Sequence, residues 1–319
     1  RPGIKGAGMQ AEEVKQTAEP KKKKLWTKAR VDQTIFMTVL LIFPIAQFFV
    51  FYILVNFNSI LLAFKEYVGD NQYVWIGFDN FGSFLRSFII DPSMLVMLQN
   101  SAVMALFGIV MIFLNCIVTY MIYKKTFGSG FFKVILFLPS VISPIVLVVI
   151  YRNIIQYVLP ALFNVSSIAE WLNAPQGFYT ILILGGLFGF GPAVLVFLGT
   201  MSTINESLIE YARLDGMNAA REFWHIVLPQ IWPTIISYTV ITFATFFTNY
   251  GLIFAFFDAG KAEIAMQTLG YQLYVKVYAS VNYYQYPEIA ASGLLYTIIT
   301  IPVVFLVKFL MEKFGPSET

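Results

Sequence analysis

The sequence predicts an all-α, polytopic membrane protein with six transmembrane helices, and three observations carry that reading. The 319 residues are 58% hydrophobic and 12% charged, with a mean hydropathy of +0.71, whereas a soluble domain carries about a quarter charged residues. Six windows reach the roughly twenty apolar residues that a helix needs to cross the hydrocarbon core: Thr34 to Phe57, Met97 to Tyr123, Phe131 to Tyr151, Phe178 to Met201, Trp232 to Phe256 and Ile289 to Met311. Lys and Arg alternate in abundance between the ends of these windows. Sixteen fall on the side of the N-terminal tail and five on the other, and because cytoplasmic segments are the Lys/Arg-rich ones, both termini are expected in the cytoplasm.

The first window follows a basic tail, residues 1 to 30, which holds nine Lys/Arg against Glu12, Glu13 and Glu19 and supplies the net charge of +3. Lys21 to Lys24 run almost directly into the apolar stretch, so the tail reads as a topology signal and not as a nucleic-acid arm. That stretch is too long for the apolar core of a cleaved signal and lacks a small-residue cleavage site, so it is expected to persist as a helix. The second window contains Cys116, the single cysteine, which excludes a disulfide framework and a zinc site of ordinary ligand spacing. Asn100, Asn115 and Asn249 lie within apolar windows, where they can hydrogen-bond between helices or meet a ligand. In the third window stand Pro139 and Pro144, in the fourth Gly185, Gly186, Gly189, Gly191 and Pro192, and in the sixth Pro302. These residues either mark bends in a moving pathway or let helices approach closely.

No window holds an ionisable side chain deeper than its ends, since Lys133 and Lys308 sit where a lysine can snorkel to the surface. A carrier driven by protons or ions needs a buried group to bind and release the coupling ion, so the energy for transport is expected to come from elsewhere. Catalysis in this chain has no candidate either. The sole histidine, His225, lies in a loop, no Ser/His/Asp set can face one site, and no Gly-rich Lys-Ser/Thr phosphate loop occurs.

Between the fourth and fifth windows the segment NESLIEYARLDGMNAAREFWHIVLP, Asn205 to Pro229, is the most charged stretch outside the tail. It reads as two short helices. Ser207 and Glu210 have capping-box spacing, Leu208, Tyr211, Ala212 and Leu214 recur at helical intervals, and Gly216 can take the left-handed stop conformation. Asn218 can cap the second helix, which is expected to pass Phe223 and Trp224 and end at Pro229. Tyr211, Leu214, Met217 and Phe223 then need cover, from each other, from the ends of the spans or from a partner.

This loop is where the chain resembles the permeases of binding-protein-dependent type I ABC importers. Their cytoplasmic signature runs Glu-Ala-Ala, three residues, Gly, nine residues, Ile, one residue, Leu-Pro, and Glu210, Ala212, Gly216, Ile226, Leu228 and Pro229 stand at those places, with Tyr211 replacing the first alanine. Leu61 to Tyr67 with Trp75 to Phe81, Gln99 to Ser101 and Phe137 to Ser140 are similar to the sugar-importing branch, in particular to importers of polysaccharide and oligouronate, the alginate type. The resemblance covers Thr34 to Phe314 and implies one permease domain, residues 31 to 319, with a coupling helix-turn-helix at about 203 to 229. It implies that Glu210, Tyr211, Ala212, Leu214, Asp215, Gly216, Met217 and Phe223 meet an ATPase. It also implies a bacterial plasma-membrane location, no cofactor on this chain, ATP and Mg²⁺ on two partner ATPase subunits, a second permease of different sequence, an extracytoplasmic solute-binding protein, and an oligosaccharide substrate. Tyrosines crowd the segment after the fifth window, and Tyr271, Tyr274 and Tyr278 are candidates for contact with sugar or binding protein, or for an interfacial aromatic belt. The alternative to the whole reading is a self-contained carrier or channel that works without an ATPase.

Overall fold

The computed structural model describes residues 28–70, 72–163, 169–257, 260–279 and 283–316; the basic tail before Lys28 lies outside them. The chain divides into two compact units, Arg1–Phe57 and Asn58–Thr319. The first contains most of helix α1, Asp32–Leu62, which carries a π-helical turn at Phe49–Leu54.

In the second unit an antiparallel hairpin, β1 (Lys65–Gly69) and β2 (Gln72–Trp75), leads through α2 (Asp79–Ile90) into α3 (Pro92–Tyr123). There follow α4 (Ser129–Val141), α5 (Pro144–Phe163), α6 (Gln176–Met201), α7 (Glu206–Leu214), α8 (Ala219–Ala244), α9 (Gly251–Phe257), α10 (Leu269–Ala279) and α11 (Tyr286–Phe314). Counting α1 and extending α11 back to Tyr283, six of the described helices are long and apolar enough to span a membrane. Helix α3 starts sharply because Asp91 caps it: its carboxylate accepts from Ser93 N–H at 2.9 Å and Ser93 Oγ at 2.7 Å, and Pro92 occupies the first turn, where a missing N–H has no consequence.

The packing settles what the glycines of α6 do. A Cβ on Gly191 would stand 2.9 Å from Leu136 O and 3.0 Å from Phe137 Cα, so here the backbones of α6 and α4 touch, and Gly185 and Gly186 similarly admit Leu252 and Met111. Gly189 has nothing within 4 Å and is not a packing residue. One cluster of buried side chains joins α3 (Ile112, Cys116, Tyr120), α6 (Ala193, Phe197, Met201) and α8 (Val227, Ile231, Ile235). A second joins α5, α6, α9 and α10, and a third packs α2 on α3 and α11 through Phe84, Met97 and Tyr296.

Two windows are divided differently from the sequence expectation. The third, Phe131 to Tyr151, is two helices: Ile142 and Ser143 are extended, with ψ of 143° and 133°, because the ring of Pro144 excludes the helical conformation from the residue before it. The fifth does not run from Trp232 to Phe256. Helix α8 begins at Ala219, inside the loop, and ends at Ala244. Pro229 does not stop it, because a π turn at Phe223–Val227 pairs Leu228 N–H with Phe223 O five residues back and so does not need the donor that Pro229 lacks. Beyond the end at Ala244 the chain is held by another element. Thr268 Oγ1 donates to Asn249 O at 3.0 Å, and Gly270 lies so close that a Cβ there would be 2.6 Å from Asn249 N.

Candidate functional site

The loop between α6 and α8 forms a compact corner. Asn205, not the expected Ser207, caps α7: its Oδ1 accepts from Ser207 N–H at 3.1 Å. At the other end Gly216 has φ +69°, Asp215 N–H reaches Tyr211 O at 2.9 Å, and Met217 N–H reaches Ala212 O at 2.9 Å. This six-to-one bond around a left-handed glycine is a Schellman stop, and it reverses the chain into Asn218, whose Oδ1 accepts from Arg221 N–H at 2.9 Å and starts α8.

Helix α7 is amphipathic in an unusual sense. Ile209 and Ala212 are buried against the core, yet Tyr211 is 67% and Leu214 83% exposed, with Leu208 beside them at 41%. Glu210, Asp215 and Gly216 are also exposed and Met217 is half-buried. Phe223, expected among the partner contacts, is instead inside the chain's own core, 5.1 Å from the Tyr120 ring, and Ala212 is likewise covered by the fold. His225 points Nδ1 at Arg221 O, 3.0 Å away in its own helix.

Three residues of the corner were not singled out from sequence. Glu222 is buried, and both of its oxygens lie 2.8 Å from Lys124 Nζ at the end of α3. The Tyr120 hydroxyl is 3.1 Å from Glu222 Oε1 and 3.0 Å from Ala219 O. Glu222 thus belongs to an internal ion pair. The available signal was the i, i+4 pair Tyr120 and Lys124 at a helix end, too common a pattern to name its partner about a hundred residues later.

Farther along α3 a cavity of about 270 Å³ lies between α3, α6, α8 and α9, lined by Phe107, Met111, Asn115, Gly186, Tyr238 and Thr242 among others. Asn115 Nδ2 donates to Met111 O in its own helix, and its buried Oδ1 has no hydrogen-bond partner among the described residues. Asn100 does bridge elements: it donates to Ala265 O and Gln267 O at 3.0 and 2.8 Å.

Of the three tyrosines on α10, Tyr271 is not at a surface. It is fully buried, and its hydroxyl accepts from Gly260 N–H at 3.1 Å and Ala262 N–H at 3.4 Å. Tyr274 and Tyr278 do face outward, stacked in series with Tyr250 at centroid separations of 4.1 and 5.7 Å. Partial desolvation, with the phenols of Tyr250 and Tyr278 nearby, raises the Tyr274 pKa above its ordinary value, so the Tyr274 hydroxyl is neutral at physiological pH.

The docking loop, the broken spans and the α6, α8 and α9 walls of the cavity lie within a stretch, residues 122–318, that matches the family of binding-protein-dependent transport system inner membrane components. The chain belongs to this family. It is a multi-pass membrane permease, and among its relatives is the multiple sugar-binding transport system permease protein MsmF of Streptococcus mutans, 25% identical over 281 residues that cover 86% of this chain and 94% of that protein. The arabinooligosaccharides transport system permease protein AraP of Halalkalibacterium halodurans is 25% identical over 243 residues, 71% of this chain and 74% of that one. In fold the permease is similar to a chain of the crystal structure of a bacterial ABC transporter involved in the import of the acidic polysaccharide alginate, with a TM-score of 0.71 over 90% of this chain and all of the other at 16% identity.

Proposed function

We propose that this permease is the membrane subunit of an ABC importer for saccharides and that α7 is the element on which a separate ATPase docks. The observation that carries the docking is the exposed face of Leu208, Tyr211 and Leu214 on a helix whose other face is already buried in the core. Aliphatic and aromatic side chains held out in this way by a Schellman stop gain from desolvation against a partner, and tyrosine is among the residues enriched at the anchors of interfaces. Glu210 and Asp215 flank the patch as charges that can steer a basic groove. Saccharide as the substrate class rests on the names of the relatives, which include proteins for multiple sugars and for arabinooligosaccharides.

In this reading the tail and α7 face the cytoplasm, where the ATPase binds ATP and Mg²⁺, and the hairpin, α2 and α10 face a solute-binding protein. A second permease completes the pathway. The outer ring of Tyr278, 68% exposed, supplies a flat apolar face and a hydroxyl for sugar or binding protein.

Two measurements test it. In a Cys116→Ser background, Leu214→Cys should be shielded from an impermeant thiol reagent in intact cells and Glu263→Cys labelled; the reverse pattern would invert the topology. Leu214→Asp should insert normally but lose the ATPase on purification, and transport of labelled saccharide into vesicles should require the ATPase. Full transport by the permease alone would establish the carrier reading instead.

A further inference from the structure

Resting on the reading that α7 docks the ATPase, the buried charges of the corner address how a movement there reaches the pathway. The Glu222 side chain is 3% exposed and lies in the first turn of α8, beside the docking loop. Among the described residues, the side chains that hydrogen-bond its carboxylate come from the end of α3: Lys124 Nζ at 2.8 Å from both oxygens and the Tyr120 hydroxyl at 3.1 Å. Lys124 keeps 21% of its side chain exposed while the carboxylate is sealed, and burying a charge in such a pair gives little net stability compared with an apolar pair of the same shape, which leaves room for a role beyond holding the fold. The continuation of each helix suggests that role.

Helix α3 runs without interruption from Lys124 back to Asn115, Met111 and Phe107, which line the cavity. At 1.5 Å per residue the nine residues from Lys124 to Asn115 place the ion pair about 14 Å from the cavity wall along one rigid rod. Helix α8 is not such a rod. Immediately after Glu222 it passes through the π turn Phe223–Val227, the kind of irregularity at which helices change register or bend. A displacement of the docking corner can therefore be absorbed by α8 at its π turn while α3, clamped to the corner by an ion pair in a low-dielectric setting, has to follow.

We propose that Glu222 is a positioning residue which, through Lys124 and Tyr120, transmits the movement of the docked corner to α3 and so to the wall of the cavity. It touches neither substrate nor nucleotide. Cys116 supplies a reporter already in place: it is next to Asn115 on α3 and fully buried, so its alkylation by N-ethylmaleimide reads the packing of α3 without any knowledge of the sugar.

The experiment uses the assembled complex of both permeases and the ATPase, with other accessible cysteines removed, and compares Cys116 alkylation without nucleotide and after trapping with ATP and vanadate. In the wild type the rate should differ between the two states by about fivefold or more, the lower range of coupling between linked sites. Glu222→Gln and Lys124→Met should retain the ATPase and its hydrolysis and lose the difference, and the exchanged pair Glu222→Lys with Lys124→Glu should recover it. If Glu222→Gln does not accumulate, Glu222→Met with Lys124→Met keeps the volume without the charges and puts the same question. A rate that is equal in the two wild-type states, a difference that persists in the variants, or loss of the ATPase from them would each overturn the proposal. Leu214→Asp separates this from the docking reading: if it keeps the ATPase, docking by α7 fails, whereas loss of the ATPase there with intact transmission in Glu222→Gln would sink only the present inference.

Discussion

Gly216 offers the sharpest test of the corner, because its structure separates two costs that a substitution usually mixes. Its φ of +69° is left-handed, and a Cβ built on it meets nothing within 4 Å. Within the permease, then, replacement entails conformational strain and no clash. That strain is about 1–2 kcal/mol for an ordinary L-residue, less for asparagine, which tolerates the left-handed region, and more for a β-branched residue. If docking requires the Schellman stop, the strain appears as weaker ATPase affinity, at about tenfold per 1.4 kcal/mol. Gly216→Asn should stay close to wild type, Gly216→Ala should lose several-fold, and Gly216→Val should lose about tenfold or more. If the docked ATPase also fills the open space above Gly216, Asn falls to the level of Val, since its side chain then meets the partner. The assay is titration of purified ATPase onto each permease variant, with transport by reconstituted vesicles scored alongside. Insertion and yield should not change, because Ile209 and Ala212 keep α7 attached to the core. Wild-type affinity and transport in Gly216→Val would refute the claim that this turn sets the docking geometry.

Tyr271→Phe should lower thermal stability in detergent by about 1–3 kcal/mol, because the Gly260 and Ala262 N–H groups lose their acceptor, while Tyr278→Phe should leave the melting temperature unchanged; equal melting of both variants would return Tyr271 to the surface. Asp91 gives a pH-dependent prediction. The Ser93 hydroxyl, then the Ser93 N–H, holds its pKa below the ordinary carboxylate value, so its stabilisation of α3 is complete above the unfolded pKa of about 4 and is lost as pH falls through the lower folded value. The deficit of Asp91→Ala in thermal unfolding should be present at pH 7 and narrow below pH 4, and a deficit that is constant with pH would exclude the cap.

Much of the membrane architecture could be read from the chain because the bilayer imposes it locally. Every spanning segment must satisfy its own backbone, and so shows itself as a long apolar window whatever its neighbours are. The left-handed stop at Gly216 and the cap at Asn218 were legible for a similar reason: both are closed within a few residues. Ser207 was misread because a side chain two residues earlier, Asn205, competes for the same N–H groups, and pattern spacing does not rank the two. The third and fifth windows were misplaced because hydropathy continues smoothly across a break. At Ile142 and Ser143 the proline gave a cue, but the break after Ala244 has none, and the residues that follow it, Thr248 and Asn249, pack against Thr268 and Gly270 of another element.

By itself, then, the sequence determined the number of spans, the Lys/Arg asymmetry and the spacing of the docking loop, all of which depend on neighbours in the chain or on the solvent around it. Only the tertiary structure decided which side of that loop is already occupied. Phe223 and Tyr271 carry the same aromatic signal as Tyr211 and Tyr278, yet the first pair is enclosed and the second exposed, a difference set by what packs across from each. The same holds for charge. Glu222 and Glu210 are alike on the page, and one is sealed against Lys124 from a helix about a hundred residues away, because a buried carboxylate persists only where the fold brings it a partner.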